Sequence, residues 1–114
     1  MQFKDFEHFI KEQEVFLRTA KHKDFTEREV ILTRLAKIAE EFGELADEVL
    51  MTLGDQRSGK TNGHTEEDLA DEFADVVITT FLLAETMDID VMEALGKKIE
   101  KIKAKHNKEL QSGD

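Results

Sequence analysis

The chain has 114 residues, of which 26 are acidic and 16 basic, so its formal net charge is −10, and it contains neither proline nor cysteine. The length suits one domain spanning 1–114, the lack of cysteine excludes disulfides and thiolate metal sites, and the acidic balance disfavours general binding to nucleic acid or anionic membranes. No uncharged apolar run approaches about 20 residues and the N-terminus shows no secretory signal, so we expect a cytoplasmic protein without a membrane segment.

The first half of the chain predicts two helices. The first runs from about Lys4 to Ala20. The second follows a capping box formed by Thr26 and Glu29, and continues to about Leu53. Gly54 fits a C-terminal cap, and the Gly-rich polar stretch 54–64 is predicted to be a mobile loop.

Two further helices are predicted in the second half. The third is capped by Thr65 and continues to about Met87. The fourth begins at a capping-box-like pair, Asp90 and Glu93, and runs to roughly Lys105 or beyond, with a frayed tail over 106–114. The predicted fold is therefore all-α, a four-helix bundle-like subunit.

Apolar stripes on the second and third helices predict how they pack. The stripes repeat every three or four residues, which places each on one helix face. They consist of Ile31, Leu35, Ile38, Phe42, Leu45, Val49 and Leu53, and of Leu69, Phe73, Val76, Thr80, Leu83 and Met87. Residues 76–84 are apolar almost all round, which predicts either a subunit interface or a central helix within one bundle. We expect the former, in a dimer or a dimer of dimers.

Two acidic clusters lie along the edges of these stripes. Glu41 and Glu44 are one turn apart on the second helix, as are Glu72 and Asp75 on the third. Like charges at such spacing weaken a helix by a few tenths of a kcal/mol per pair, and a bound cation would relieve this repulsion. Sites made only of oxygen ligands suit Mg²⁺, Mn²⁺ or Ca²⁺. Antiparallel packing would bring the carboxylates together at the rim of the core, where bundles build metal sites. Two solvated acidic faces are the alternative.

The motif Glu40-Glu41-x-x-Glu44, followed after 27 residues by Glu72-x-x-Asp75, resembles the signature of the MazG-like, all-α nucleoside triphosphate pyrophosphatase superfamily. The resemblance covers about 26–105. It implies Mg²⁺-dependent hydrolysis between the α and β phosphates of a nucleoside or deoxynucleoside triphosphate, with Mn²⁺ as a possible substitute. The products would be a monophosphate and pyrophosphate, as in house-cleaning of the nucleotide pool, and the enzyme would be a homodimer or homotetramer.

The resemblance also implies roles for individual residues. The family's metal ligands fall on Glu41, Glu44, Glu72 and Asp75. Glu40 and Glu41 would act in catalysis, Glu40 by helping a further metal or by orienting water. Such cations neutralise phosphate oxygens and lower the pKa of bound water, which lets an acidic protein attack a tetra-anion.

Substrate contacts are predicted from two further groups. Lys98, Lys101 and Lys105 share one face of the last helix and are expected to hold the β and γ phosphates, although lysines are also common on a solvated face near a helix C-terminus. The chain lacks Trp and Tyr, so base contacts are expected from Phe16, His22 and Phe25. The alternative places Phe16 in the core and the other two at the surface.

Two other functions fit the same sequence. Phosphoribosyl-ATP pyrophosphohydrolase belongs to the same superfamily and carries similar acidic motifs. A non-catalytic helical interaction module would instead use the acidic residues to dock a basic partner. The first differs in substrate, and the second predicts no saturable effect of Mg²⁺ or Mn²⁺ on stability.

Overall fold

The computed structural model describes residues 1–54 and 66–113, and these form four helices without any strand. They are α1 (Phe3–Ala20), α2 (Glu27–Thr52), α3 (Glu66–Thr86) and α4 (Val91–Ser112). The all-α prediction is confirmed. The loop predicted over 54–64 and the cap at Thr65 lie, apart from Gly54, outside the described residues.

The helix ends follow their local sequence. In the predicted capping box, the Glu29 amide donates to Thr26 Oγ1 at 3.1 Å and the Thr26 amide donates to Glu29 Oε1 at 2.9 Å. Gly54, just after α2, has φ of 76°, which glycine adopts without steric cost. At the start of α4, the Glu93 amide donates to Asp90 Oδ1 at 3.0 Å. All three predicted helix ends are confirmed.

The turn between α3 and α4 is a Schellman motif with aspartate in place of the usual glycine. The Ile89 amide donates to the Ala84 carbonyl at 2.9 Å, and the Asp88 amide donates to the Glu85 carbonyl at 3.2 Å. Asp88 itself has φ of 57°, in the left-handed region that aspartate tolerates better than most residues. The turn ends α3 and allows α4 to start two residues later.

Three helices pack together, and α4 extends away from them. The packing is between α2 and α3 and between α1 and α3, where Phe6 and Phe81 meet edge to face at 5.0 Å. The buried apolar residues of the described chain are Ile10, Val30 and Leu82. α4 contributes no buried residue. The subunit is therefore a three-helix core with a projecting fourth helix, rather than the four-helix bundle predicted. α4 also remains helical to Ser112, through most of the tail predicted to fray.

The α2 and α3 stripes are only partly buried. Leu35 is 52%, Phe42 63% and Phe73 53% exposed, and Leu53 and Met87 are also exposed. The buried residues of α2 are instead Val30, Arg34, Glu41 and Glu48, which repeat at four and seven residues. The stripe prediction is wrong at the exposed positions because α2 turns a face rich in polar residues toward α3. Much of its apolar face consequently lies on the surface of the single chain.

Candidate active site and metal centre

Packing of α2 on α3 brings three of the predicted metal ligands together. Glu41, Glu72 and Asp75 each offer a carboxylate oxygen, and these oxygens all lie within 4.8 Å of one another. Glu41 is only 6% exposed, and Glu72 is half-buried. Residues 72 and 75 are one helical turn apart, so both side chains lie on the same face of α3. The carboxylate rows predicted to meet at the rim of the core do so at these three residues.

The two remaining acidic residues of the predicted site, Glu40 and Glu44, lie next to Glu41. A hydrogen bond with Glu41, together with its negative charge, raises the pKa of the Glu44 carboxyl. Glu40 is exposed on α2, and its Oε1 lies 3.5 Å from Lys37 Nζ. The same Nζ atom lies 3.1 Å from Glu41 Oε1. Lys37, which is not among the predicted site residues, thus places a positive charge against the cluster.

The electrostatics of the cluster favour a bound cation. Desolvation by burial, followed by the negative charges of neighbouring carboxylates, raises the pKa values of both Glu72 and Asp75. Among the described residues, Glu41 Oε2 and Glu72 Oε2 are buried without a hydrogen-bond partner. Buried carboxylate oxygens are normally paired or bound to metal. An oxygen-only site with two unpaired ligand atoms fits a hard divalent cation.

Glu48 is a further acidic residue at this site. It lies seven residues after Glu41 on the same face of α2 and is 8% exposed. Its charge contributes to the raised pKa of Glu72. The sequence predicts that Glu48 lies on the same edge of α2 as Glu41, because the two are seven residues apart. The Glu40-Glu41-x-x-Glu44 motif does not include Glu48.

A cavity of about 560 Å³ adjoins the carboxylates, between α1, α2 and α3. Its walls combine apolar side chains with polar ones. The polar set includes Gln13, His22, Arg34, Lys37, Glu40 and Thr79. Lys37 and Glu40 line the cavity, and Lys37 also contacts Glu41, so the cavity lies next to the carboxylate cluster. A volume of this size is typical of small-molecule pockets.

A buried polar cluster supports one wall of this cavity. Arg34 is 3% exposed, and its Nη1 contacts both Glu14 of α1 and Thr86 of α3. Thr86 Oγ1 donates to Glu14 Oε2 at 2.6 Å. This contact set, which joins all three packed helices, was not predicted. The available signal was that Arg34 lies seven residues before Glu41 and so shares its face of α2.

A surface ion pair extends that cluster. Arg18 contacts Glu14 and also donates to both carboxylate oxygens of Glu27, at 2.7 and 2.9 Å. The Glu27 hydrogen bonds raise the pKa of Arg18, and the same bonds lower the pKa of Glu27. The pair connects the end of α1 to the start of α2, which orients the α1 wall of the cavity.

The three residues predicted to contact the base differ in their position relative to the cavity. His22 lines the cavity, and its ring stacks on Phe25 with centroids 4.7 Å apart. Phe25 is 42% exposed. Phe16 is 51% exposed and lies outside the set that lines the cavity. His22, backed by Phe25, is therefore the aromatic group closest to the site.

The three predicted phosphate-binding lysines lie on the projecting helix. Lys98, Lys101 and Lys105 are all exposed on α4, and Lys105 Nζ lies 4.0 Å from Glu109 Oε1. Among the described residues, the charges that shift the pKa values of Glu44, Glu72 and Asp75 belong to α2 and α3. Within a single chain, the structure does not bring these lysines to the carboxylates.

Comparison with known proteins gives a family for the chain. Residues 29–110, most of the sequence, match the MazG nucleotide pyrophosphohydrolase domain. No curated protein and no solved structure matches the chain. None of the described helices is sufficiently long and apolar to cross a bilayer. The matched region contains α3 and nearly all of α2 and α4, and it includes every residue of the carboxylate cluster. The chain belongs to the MazG nucleotide pyrophosphohydrolase family.

Proposed function

We propose that this protein is a Mg²⁺-dependent nucleoside triphosphate pyrophosphohydrolase that converts nucleoside or deoxynucleoside triphosphates to monophosphates and pyrophosphate. The observation that carries the proposal is the cluster of Glu41, Glu72 and Asp75, which has, among the described residues, two unpaired buried oxygens and lies next to a cavity. Because the proposed substrate is a nucleotide, we also propose that the protein is cytoplasmic and that it has a house-cleaning role in the nucleotide pool.

Glu41, Glu44, Glu72 and Asp75 would hold the cation, and Mn²⁺ offers the same charge and accepts the same oxygen ligands. When bound, such a cation neutralises phosphate oxygens and lowers the pKa of water. The acidic site can therefore accept a polyanionic substrate that it would otherwise repel.

The chain's own residues supply the remaining steps. Glu40, positioned 3.5 Å from Lys37, accepts a proton from the water that attacks the α phosphorus. A bond forms between that water oxygen and the α phosphorus. The bond from this phosphorus to the α–β bridging oxygen breaks, and pyrophosphate leaves with its electron pair. Lys37, which lines the cavity, provides positive charge beside the transferring phosphoryl group.

We also propose that copies of the chain assemble into a dimer or a dimer of dimers. The exposed apolar side chains of α2 and α3 support this, as does a stripe on α4 whose members are 40–47% exposed: Met92, Leu95, Ile99 and Ile102. Assembly would cover these faces and could deliver Lys98, Lys101 and Lys105 of one copy to the phosphates bound by another. Light scattering should give a dimer or tetramer mass. Phe42→Asp should give a monomer, whereas Val15→Asp, an equally exposed position on α1, should not.

The test of the reaction is pyrophosphate release from a panel of nucleoside triphosphates and phosphoribosyl-ATP, with Mg²⁺ and with EDTA. We expect metal-dependent release of pyrophosphate and monophosphate. Glu72→Gln should lower its rate about 100-fold, and Glu100→Gln, an exposed site on α4, should leave it unchanged. Release of orthophosphate would contradict the proposed bond cleavage. Turnover of phosphoribosyl-ATP alone would assign the alternative substrate, and the absence of any turnover would favour an interaction module.

A further inference from the structure

Arg34 lines the cavity and, within the described part of the chain, has two nitrogen donors without a hydrogen-bond partner. Its Nη1 is held by Glu14 and Thr86, whereas its Nε and Nη2 are buried and have no hydrogen-bond partner among the described residues. Nε–H and one N–H of Nη2 lie along the same edge of the planar guanidinium group, so they form a two-pronged donor. A buried donor without a partner is unfavourable, and a ligand that brings acceptors would relieve this.

The position of Arg34 relative to the carboxylates suits the base of a bound nucleotide. Arg34, Lys37 and Glu41 succeed one another on one face of α2, and the first two line the cavity. Seven residues of helix separate Arg34 from Glu41, which is roughly 10 Å along the axis. This is about the distance between the phosphate end and the base end of a nucleotide, so phosphates at the carboxylates place the base near Arg34.

The cavity around Arg34 has the composition of a base-binding pocket. Leu17, Ile78 and Leu82 provide apolar walls, and the His22 ring that stacks on Phe25 provides a flat surface. Gln13 and Thr79 add polar groups that can each donate or accept. The fixed element among these is Arg34, because its contacts with two other helices determine its orientation.

The chemistry of a two-pronged donor selects among the bases. A 6-oxopurine such as guanine or hypoxanthine presents two adjacent acceptors, O6 and N7, which arginine binds in bidentate fashion. Adenine presents an amino donor in place of O6, and cytosine presents an amino group as well. Arginine has no acceptor to offer those groups.

We propose that the cavity is the base subsite of the enzyme and that Arg34 makes it selective for 6-oxopurine nucleoside triphosphates. This inference rests on the proposed function for its substrate class. Glu14 and Thr86 act as positioning residues, because they hold Nη1 and leave the Nε–Nη2 edge for the base.

The first test uses the unmodified protein. We expect kcat/KM for dGTP and dITP to exceed that for dATP and dCTP by about 10- to 100-fold. 7-Deaza-dGTP, which lacks the N7 acceptor, should lose about tenfold relative to dGTP. Equal turnover of all these substrates would overturn the inference and leave the proposed reaction intact.

A binding measurement separates the two proposals. Calorimetry with α,β-methylene analogues of dGTP and dATP in Mg²⁺ reports base selection without turnover. Preferential binding of the dGTP analogue supports the inference even if no pyrophosphate is released, in which case only the proposed reaction fails. Equal affinity for the two analogues overturns the inference, and failure to bind either analogue overturns both proposals.

Variants test the residue itself. Arg34→Met should reduce the dGTP-to-dATP preference to within about threefold of unity, while Arg28→Met, at an exposed position on α2, should preserve it. Circular dichroism checks that both variants fold. A folded Arg34→Met protein with unchanged selectivity would overturn the assignment, and the 7-deaza comparison decides the matter if that variant does not fold.

Discussion

Lys37 Nζ lies 3.1 Å from Glu41 Oε1, which joins the wall of the cavity to the centre of the carboxylate cluster. Hydrogen bonding to Glu41 and the charges of Glu41 and Glu40 raise the pKa of Lys37. The ammonium group therefore serves as a counter-ion within the site itself. It offsets part of the negative charge that a divalent cation would meet, and it offers positive charge to an arriving phosphate.

Removal of this ammonium group should have opposite effects on metal and on nucleotide. In Lys37→Met, the carboxylates lose a counter-ion, so Mn²⁺ should bind about fivefold more tightly to the nucleotide-free protein. The KM for triphosphate should rise because a positive charge beside the phosphates is lost. Calorimetry and steady-state kinetics measure the two effects. Lys97→Met, which breaks a comparable 3.0 Å ion pair with Glu93 on α4, is the matched control and should change neither quantity.

Neutralising one carboxylate should stabilise the metal-free fold while disabling the enzyme. Glu72→Gln removes a half-buried charge whose pKa is raised by desolvation and by Asp75 and Glu41. We expect a higher melting temperature without metal, a smaller Mg²⁺-dependent rise in melting temperature, and about a 100-fold lower kcat. Thermal denaturation with EDTA and with Mg²⁺ checks the first two. A lower melting temperature in EDTA would contradict repulsion at this site.

The acidic cluster should also make the metal-free protein more stable at mildly acidic pH than at neutral pH. Glu44, Glu72 and Asp75 have raised pKa values when folded, so the folded state binds protons more tightly than the unfolded chain. Their contribution to the free energy of unfolding therefore grows as the pH falls from about 7 to about 5. Denaturant titrations in EDTA measure this.

Two controls accompany the pH experiment. Saturating Mg²⁺ should reverse the trend, because protons then compete with the cation for the same oxygens. Glu29 has a pKa lowered by its hydrogen bonds to Thr26, so its contribution is present above its ordinary value of 4.5 and disappears as the pH falls through its folded value. Glu29→Gln should consequently leave the slope between pH 7 and about 5 unchanged, whereas Glu72→Gln should reduce it.

The buried contacts of Arg34 should account for a large share of the stability of the three-helix core. Glu14→Gln leaves the buried guanidinium without its carboxylate and should lower the free energy of unfolding by about 3 kcal/mol. Thr86→Val removes hydrogen bonds to the charged Arg34 and Glu14 side chains and should cost about 2 kcal/mol. Glu12→Gln, which disturbs only an exposed contact with His8, should stay within about 0.5 kcal/mol. Equal effects at positions 12 and 14 would contradict the role assigned to the cluster.

The helices and their ends could be predicted because local physics determines them. The absence of proline, the Thr26 and Asp90 caps and the glycine at position 54 act within one or two turns of chain. The carboxylate cluster was predictable for a related reason. The i,i+3 spacing of Glu72 and Asp75 places both on one helix face wherever that helix packs, and the motif's resemblance to a family supplied the partner helix.

Only the tertiary structure decided which face of α2 turns inward. Apolar periodicity favoured the stripe through Leu35 and Phe42, yet the packed face carries Arg34, Glu41 and Glu48. Apolar periodicity shows which helix face is apolar, but it does not show whether residues of the same chain cover that face. A buried charge such as that of Arg34 is stable only when it is paired, here with Glu14 and Thr86 from other helices. The sequence by itself therefore determined the helices, the acidic motif and the i,i+4 contact between Lys37 and Glu41. Packing created the cavity, the orientation of Arg34 and the approach of Glu72 and Asp75 to Glu41.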